Sequence, residues 1–453
     1  MILILGGGLA GMSTAFHLAR EQPGLERLIL EKNARGGGLA RSRRVGEFIF
    51  DYTGHYLHLR DPETTALVRD LLGENLFEAE RRSTIHMHGT EVAFPFQAHL
   101  HGLPREVVAR CLLDFFEASR HEMPENAAEG SFASWARLTF GHAIAEEFMI
   151  PYNEKLFGVS ADEITAEWVA WSVPRPDLEQ VVRGALGMSN EGLGYNARFS
   201  YPRQGGIAAL PRALQERVIA DMRFASEVQA IDLKQKSVTL SDGEVISWDF
   251  LVSTLPLPLF CRMISAMPNE GDLDRLRAAA GTLRASATYD VALGIDRESL
   301  AGGTHWIYFP EAKYSFYRVG FPSNVCSALA PAGCSTASVE ITEKAGQVVS
   351  EEELIEQAHR GLIEAGILDE RDRIVAHDVA RIDPAYVLYD ENHAKATGEI
   401  QRLFEDLDLH SIGRYGAWTY SFMERALMDG RETAARLLER AGSASATSSP
   451  SSS

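Results

Sequence analysis

Met1-Ile2-Leu3-Ile4-Leu5-Gly6-Gly7-Gly8-Leu9-Ala10-Gly11 opens the chain, and Leu28-Ile29-Leu30-Glu31 follows a stretch of helix-forming composition from Met12 to Arg20. The order is apolar strand, glycine turn, helix, apolar strand, acid. Gly6, Gly8 and Gly11 stand in G-x-G-x-x-G spacing, and each has a physical task. The first allows the tight turn, the second lets a pyrophosphate approach the backbone, and the third lets the helix pack on the strand. Free N–H groups and the positive dipole end at the helix start, around Leu9 and Ala10, then hold the phosphates. Glu31 lies 20 residues beyond Gly11, where a carboxylate can accept from both ribose hydroxyls and would repel a 2′-phosphate. This is a dinucleotide-binding β-α-β unit.

The sequel separates the candidate dinucleotides. Lys32-Asn33-Ala34-Arg35-Gly36-Gly37-Gly38-Leu39-Ala40-Arg41 resembles the second glycine cluster of the flavoprotein superfamily that holds amine oxidases, protoporphyrinogen oxidase and UDP-galactopyranose mutase. In that superfamily the cluster packs against the FAD diphosphate and a basic residue nearby offsets its charge. The resemblance implies FAD as a lasting prosthetic group, with Lys32, Gly38, Leu39, Ala40 and Arg41 beside it. Asp51-Tyr52-Thr53-Gly54-His55 is similar to the mutase Gly-His loop lying against the flavin ring. It makes Gly54 and His55 flavin-edge candidates, although a histidine that only satisfies backbone groups in a turn reads equally well.

Length and composition set the bounds. The 453 residues suffice for two or three domains and a large core, and 45% hydrophobic with 24% charged residues is ordinary for a globular protein. A net charge of −19, from 44 basic and 63 acidic residues, disfavours nucleic acid or an anionic membrane surface as partner. An anionic ligand would need local arginines. Cys111, Cys261, Cys326 and Cys334 form no C-x-x-C pair, so neither zinc nor a disulfide framework is expected, and a reducing cytoplasm fits best. His86, His88, His99, His101 and His121 lack the helical spacing of a metal site, and no metal is expected. The five-residue apolar start is too short for a signal peptide, and no stretch of the chain is long and apolar enough to span a membrane. Homo-oligomerisation stays open.

Further segments carry the resemblance along the chain. Pro151-Tyr152-Asn153-Glu154-Lys155-Leu156-Phe157-Gly158 resembles the mutase segment whose aromatic packs on the nucleotide sugar. Phe157 replaces the usual Trp there, keeping a stacking face without the indole N–H; a core aromatic is the alternative. Val173-Pro174-Arg175-Pro176 and Phe316-Tyr317-Arg318-Val319 match the mutase segments that supply two arginines to the substrate diphosphate. A guanidinium fork can donate two hydrogen bonds to a phosphate, so Arg175 and Arg318 are the expected clamp, with exposed structural arginines as the plain alternative. The resemblance also implies Tyr195 and Tyr420 at the substrate, Val228 at the adenine and Thr254 at the end of a buried strand. Tyr386 to Glu391 brings a further tyrosine nearby. Ile412-Gly413-Arg414 through Phe422-Met423 is similar to the C-terminal FAD signature, with Gly413 and Arg414 at the diphosphate. The helix starting near Met423 points its N-terminus at the flavin.

The expected fold is α/β: a Rossmann-like FAD-binding domain of the GR2 type, an inserted helical domain and a second, mixed β-sheet domain for the substrate. The boundaries read as 1–60, 201–262 and 401–440 for the FAD-binding parts, 61–200 for the insert, 263–400 for the substrate sheet and 441–453 for a disordered tail. Function then divides two ways. A mutase-like enzyme would interconvert pyranose and furanose forms of a nucleotide sugar through reduced flavin, with His55, Arg175, Arg318 and Tyr420 at the reacting centre and Phe157 and Tyr195 on the substrate. An oxidase or desaturase, like the amine and protoporphyrinogen oxidases, would share every FAD-binding element but take an apolar or amine substrate without paired arginines.

Overall fold

The computed structural model describes residues 1–440 with side chains and 441–447 as backbone, leaving out 125, 170–172, 189–196, 345, 348 and 406. Tyr195 therefore lies outside the described residues. The opening apolar runs become adjacent strands of a five-stranded parallel sheet, ordered Leu409–Ser411, Phe250–Ser253, Ile2–Leu5, Arg27–Leu30, Met222–Arg223. Ile2 to Leu5 are buried throughout, as a central strand covered on both faces requires. Helix Leu9–Glu21 covers one face, burying Met12, Ala15 and Leu18. It is crossed in turn by the closing helix Met423–Thr447. That helix runs seven residues past the expected 440 boundary, so the segment 441–447 continues it instead of starting an irregular tail. Three of those seven residues are alanine, the strongest helix former.

A second sheet has seven strands, ordered Ile374–Ile382, Thr288–Ile295, Ser335–Thr342, Arg318–Gly320, Trp306–Tyr308, Ser83–Met87, Thr90–Ala93. All pairs are antiparallel except Trp306–Tyr308 with Ser83–Met87. The hairpin Ser83–Met87 and Thr90–Ala93, inside the 61–200 insert, thus forms the edge of this sheet, far in sequence from the other strands. Side chains on one rung of a sheet share a face, and the register places Asp290, Glu340, Arg318 and Tyr308 side by side on one rung.

Apart from Leu76–Glu80, which pairs with Arg198–Pro202, the other described elements of the insert are helical. Arg105–Ser119, Phe132–Phe140 and Ile150–Phe157 pack around Phe96, Trp135, Phe140 and Phe148, all buried. Local signals explain the helix starts. Asp61 caps Pro62–Leu72 by accepting from the Thr64 N–H at 2.8 Å, and Asp177 forms a capping box with Gln180 at the head of Leu178–Ala185.

Candidate functional site

Parallel sheets place their turns at the carboxyl ends of the strands, and a crevice there is the usual ligand position. In this protein Gly6 follows Ile2–Leu5, Glu31 follows Arg27–Leu30, Thr254 follows Phe250–Ser253, and Gly413 lies just beyond Leu409–Ser411. All four line one cavity of about 890 Å³ that reaches to the seven-stranded sheet.

The glycines of the turn have distinct steric roles. Gly6 has φ +101°, and a Cβ there would lie 2.3 Å from Thr254 Oγ1. At Gly11 a Cβ would lie 2.2 Å from the Gly6 carbonyl oxygen, so this residue permits the helix to sit on the turn and does not itself reach the cavity. Gly8, Leu9 and Ala10 do line it, presenting first-turn N–H groups that have no acceptor within the helix. Gly413 brings the closing segment to the helix start, where a Cβ would be 3.0 Å from that of Ala10. Glu31 is buried at the cavity wall. Its carboxylate accepts from the Gly7 N–H at 2.9 Å and from both nitrogens of Asn33 at 2.9 and 2.7 Å.

Lys32, Gly38, Leu39, Ala40, Gly54, His55, Val228, Arg414, Phe422 and Met423 also line the cavity. Arg41 does not. It turns away, donating from Nε to the Gly38 carbonyl at 2.7 Å with its guanidinium 5.5 Å from the Tyr52 ring, and so braces the second glycine cluster. Arg414 has two nitrogens committed to the carbonyls of Ser421 and Ala385 and sits among the rings of Tyr386, Tyr415 and Tyr420. It therefore ties two loops of the wall together; much of its donor capacity is spent on protein. His55 is pushed down to about 4, chiefly by burial, so its ring is neutral at pH 7.

Beyond the glycine turns the wall is polar and aromatic: Trp306, Tyr308, Tyr317, Arg318, Glu340, Tyr386 and Tyr420. Arg318 donates from Nε and Nη2 to Glu340 at 2.7 and 2.8 Å, while Tyr317 donates to the same carboxylate at 2.7 Å. Nη1 of Arg318 has no protein acceptor among the described residues. Burial lifts Tyr386 to about 12 and, with Glu340 beside it, raises Tyr317 well above the usual phenol range, so both phenols keep their protons. Trp306 Nε1 is buried without an acceptor among the described residues.

Two expected substrate residues lie elsewhere. Phe157 is buried one layer behind the wall, edge-on to Trp168 at 5.0 Å and to Tyr386 at 6.0 Å; it supports Tyr386 from behind and cannot stack on a ligand. Arg175 is exposed and off the cavity, its guanidinium 5.8 Å from the Trp135 ring. The Pro174 carbonyl is held by buried Gln97 at 2.7 Å, which keeps this stretch on the helical layer. The scattered histidines have separate partners: His86 meets Tyr314 at 3.0 Å, His88 meets Glu147 at 2.7 Å, and His99 meets the Pro95 carbonyl at 3.0 Å. Glu340 and Trp306 escaped the sequence reading. A lone Glu within Ser335-Thr-Ala-Ser-Val-Glu-Ile-Thr342 was the signal, since a carboxylate in a buried strand needs a partner.

Comparison with known proteins agrees with this geometry. The family model for flavin-containing amine oxidoreductases matches residues 9–438. A crystal structure of reduced UDP-galactopyranose mutase superposes with a TM-score of 0.90 at 28% identity, covering 97% of this chain and 93% of that one. A protein from Exiguobacterium sp. 255-15 described as a protoporphyrinogen oxidase gives 0.73 at 17% identity, covering 97% and 98%. A redesigned putrescine oxidase gives 0.62 at 15%, covering 97% and 98%. At those lower identities the likeness is one of fold alone.

The residues present fit FAD. Glu31 suits a ribose, the glycine turn and the Leu9–Glu21 helix start suit a diphosphate, and the N-terminus of Met423–Thr447 opens onto the same cavity. With a family match over nearly its whole length and one cavity joining both chain ends, the protein belongs to the flavin-containing amine oxidoreductases and is a FAD-dependent enzyme.

Proposed function

We propose that the protein is a flavin-dependent mutase acting on a nucleotide sugar, interconverting its pyranose and furanose forms. The observation that carries this reading is Arg318 on the cavity wall, with Nη1 open and Tyr308, Tyr317, Tyr386 and Tyr420 lining the same wall. A guanidinium with neutral phenols suits a diphosphate and sugar hydroxyls. It is a poor receptor for a cationic amine, because Glu340, the carboxylate beside it, is already taken by Arg318 and Tyr317. The likeness to the mutase structure supports the same choice.

Reduced FAD would supply a nucleophilic nitrogen for the anomeric carbon. The chain's own task is to hold the sugar and take the charge of the departing diphosphate. Arg318 does so by charge-assisted hydrogen bonds that strengthen as negative charge develops, and Tyr420 donates to the same phosphates. Tyr386, kept protonated, orients sugar hydroxyls. His55, neutral, sits at the flavin edge without adding charge. Arg175 is not on the wall, so of the two expected arginines Arg318 is the one that takes the diphosphate role. Among the described residues no helix is long and apolar enough to cross a membrane. The four cysteines are all free thiols, which favours a reducing compartment, and we place the protein in the cytoplasm.

The test is dithionite-reduced holoprotein incubated without oxygen with a panel of nucleotide sugars, the products separated by chromatography. Isomerised sugar nucleotide formed only with reduced flavin is expected. Arg318→Ala should lower kcat/KM roughly 10- to 100-fold, the worth of a charged hydrogen bond, while Arg175→Ala changes it little. Peroxide production from an amine or a porphyrinogen, with no sugar-nucleotide turnover, would refute the reading in favour of an oxidase.

A further inference from the structure

Thr53 has φ +62°, in the left-handed region that β-branched residues avoid. It stands between Asp51, the last residue of strand Phe48–Asp51, and the Gly54-His55 pair on the cavity wall. Such a conformation persists where the surroundings over-determine it, and such residues cluster at functional sites.

Three anchors fix this turn. The Asp51 carboxylate accepts from Ser42 Oγ at 2.6 Å, from the Tyr201 hydroxyl at 2.5 Å and from the Ile207 N–H at 3.2 Å. Arg43 donates from Nη2 to the Asp51 carbonyl at 3.3 Å and covers the Tyr52 ring at 4.7 Å. The N–H of Thr53 itself donates to Asp290 Oδ2 at 3.2 Å. Asp290 and Arg43 are also ion-paired to each other, with no exposed surface on the Asp290 side chain and 12% on that of Arg43. Ser338 holds the other Asp290 oxygen at 2.6 Å, and Asp378 holds Arg43 Nη1 at 2.6 Å.

The two members of the pair come from different parts of the fold. Arg43 lies on Ser42–Val45, which pairs with the strand leading into the turn. Asp290 lies on the seven-stranded sheet, opposite Glu340, the partner of Arg318. One buried ion pair therefore fastens the Gly-His turn to the sheet rung that carries the cavity arginine.

We propose that Asp290 and Arg43 are positioning residues for the flavin: by locking Thr53 they set where Gly54 and His55 stand against the flavin ring, and through that the reduction potential of the bound FAD. The proposal rests on the assignment of His55 to the flavin edge and is independent of the nucleotide-sugar reading.

The experiment uses purified holoprotein of the wild type, Asp290→Ala, Asp290→Asn, His55→Ala and the double variant Asp290→Ala/His55→Ala. Midpoint potential, flavin absorption spectrum and FAD-to-protein ratio are measured for each. Asp290→Ala and His55→Ala are expected to shift the potential in the same direction. The expected size is about tenfold in the ratio of affinities for reduced and oxidised flavin, about 30 mV for a two-electron couple. The double variant should shift no further than His55→Ala alone, because Asp290 acts through that residue. Asp290→Asn keeps an acceptor for the Thr53 N–H and should shift less. Should Asp290→Ala fail to retain FAD, Arg43→Lys, which keeps a charge beside Asp290 and loses the guanidinium fork that also holds the Asp51 carbonyl, is expected to give a smaller shift in the same direction. A lowered melting temperature with an unchanged potential, or strictly additive shifts in the double variant, would overturn the proposal. An unchanged potential in His55→Ala would remove the flavin-edge assignment and this proposal with it, while sugar-nucleotide turnover would still be read independently.

Discussion

Replacing Glu340 by Gln separates two effects of opposite sign. Glu340 is 1% exposed and takes three hydrogen bonds, two from Arg318 and one from Tyr317. Breaking a buried ion pair by removing one partner costs about 3–5 kcal/mol. Here the Arg318 side chain is 22% exposed toward the cavity, and the Gln carbonyl oxygen still accepts, so a loss of about 2 kcal/mol is expected. The same change removes a negative charge beside the proposed phosphate position. A unit charge within about 10 Å, at an effective permittivity near 20, is worth about 1.5 kcal/mol, or roughly tenfold in affinity. Glu340→Gln should therefore melt at a lower temperature yet bind a nucleoside diphosphate more tightly. Calorimetric titration of oxidised holoprotein with UDP, beside thermal melts, reads both. If affinity falls in step with that of Arg318→Ala, then Glu340 serves to aim the guanidinium and the neutralisation argument is refuted.

Two further outcomes concern single glycines and a third the buried histidines as a set. Gly11→Ala should give protein without FAD, because the new Cβ meets backbone, the Gly6 carbonyl oxygen at 2.2 Å, and a flavin absorbance equal to wild type would contradict this. Gly430→Ala gains about 1 kcal/mol of helix propensity. It also drives a methyl to 2.6 Å from Ser13 Cβ and 2.7 Å from the Ala10 carbonyl oxygen, an overpacking cost of about 1–3 kcal/mol, so a net loss in urea melts is expected. Burial holds His17, His55, His58, His305 and His410 near 4, below the unfolded value of 6.5. The unfolded chain then binds more protons between those values. The stability these residues supply is complete above pH 6.5 and is lost as pH falls towards 4. Asp51, raised to about 6 by burial, acts in the opposite sense, its contribution fading as pH rises from about 4 through 6. Burial raises Asp290 and Asp429 in the same direction as Asp51. Urea midpoints at pH 5 should lie below those at pH 7, since the five histidines outnumber these three carboxylates; equal midpoints would contradict the sign.

Short-range chemistry made the nucleotide half of the protein readable from the chain alone. Gly6, Gly8, Gly11 and Glu31 are legible because their roles are set within one β-α-β unit: a turn, a close approach, a helix seat and an acid at fixed spacing. Gly413 and Met423 were named through the resemblance of their segment to the C-terminal FAD signature, and the fold brings both onto the same cavity. The substrate wall is different. Arg318 could be named, but its partner Glu340 is brought beside it by strand pairing across 22 residues, and the Asp290 neighbour by pairing across 50 more. Phe157 had the right residue type in the right local context. Its depth, behind Tyr386, was fixed by how the helical layer docks on the loop at 385–390. Arg175 likewise carries the right chemistry, but Gln97 holds its segment on another surface. The sequence by itself determined that the chain holds a dinucleotide, because backbone turns of a few residues make that site, and the resemblance carried by residues 32–41 named it as FAD. Tertiary structure decided which charges face each other across the cavity, because strand register and layer packing join residues that no local spacing relates.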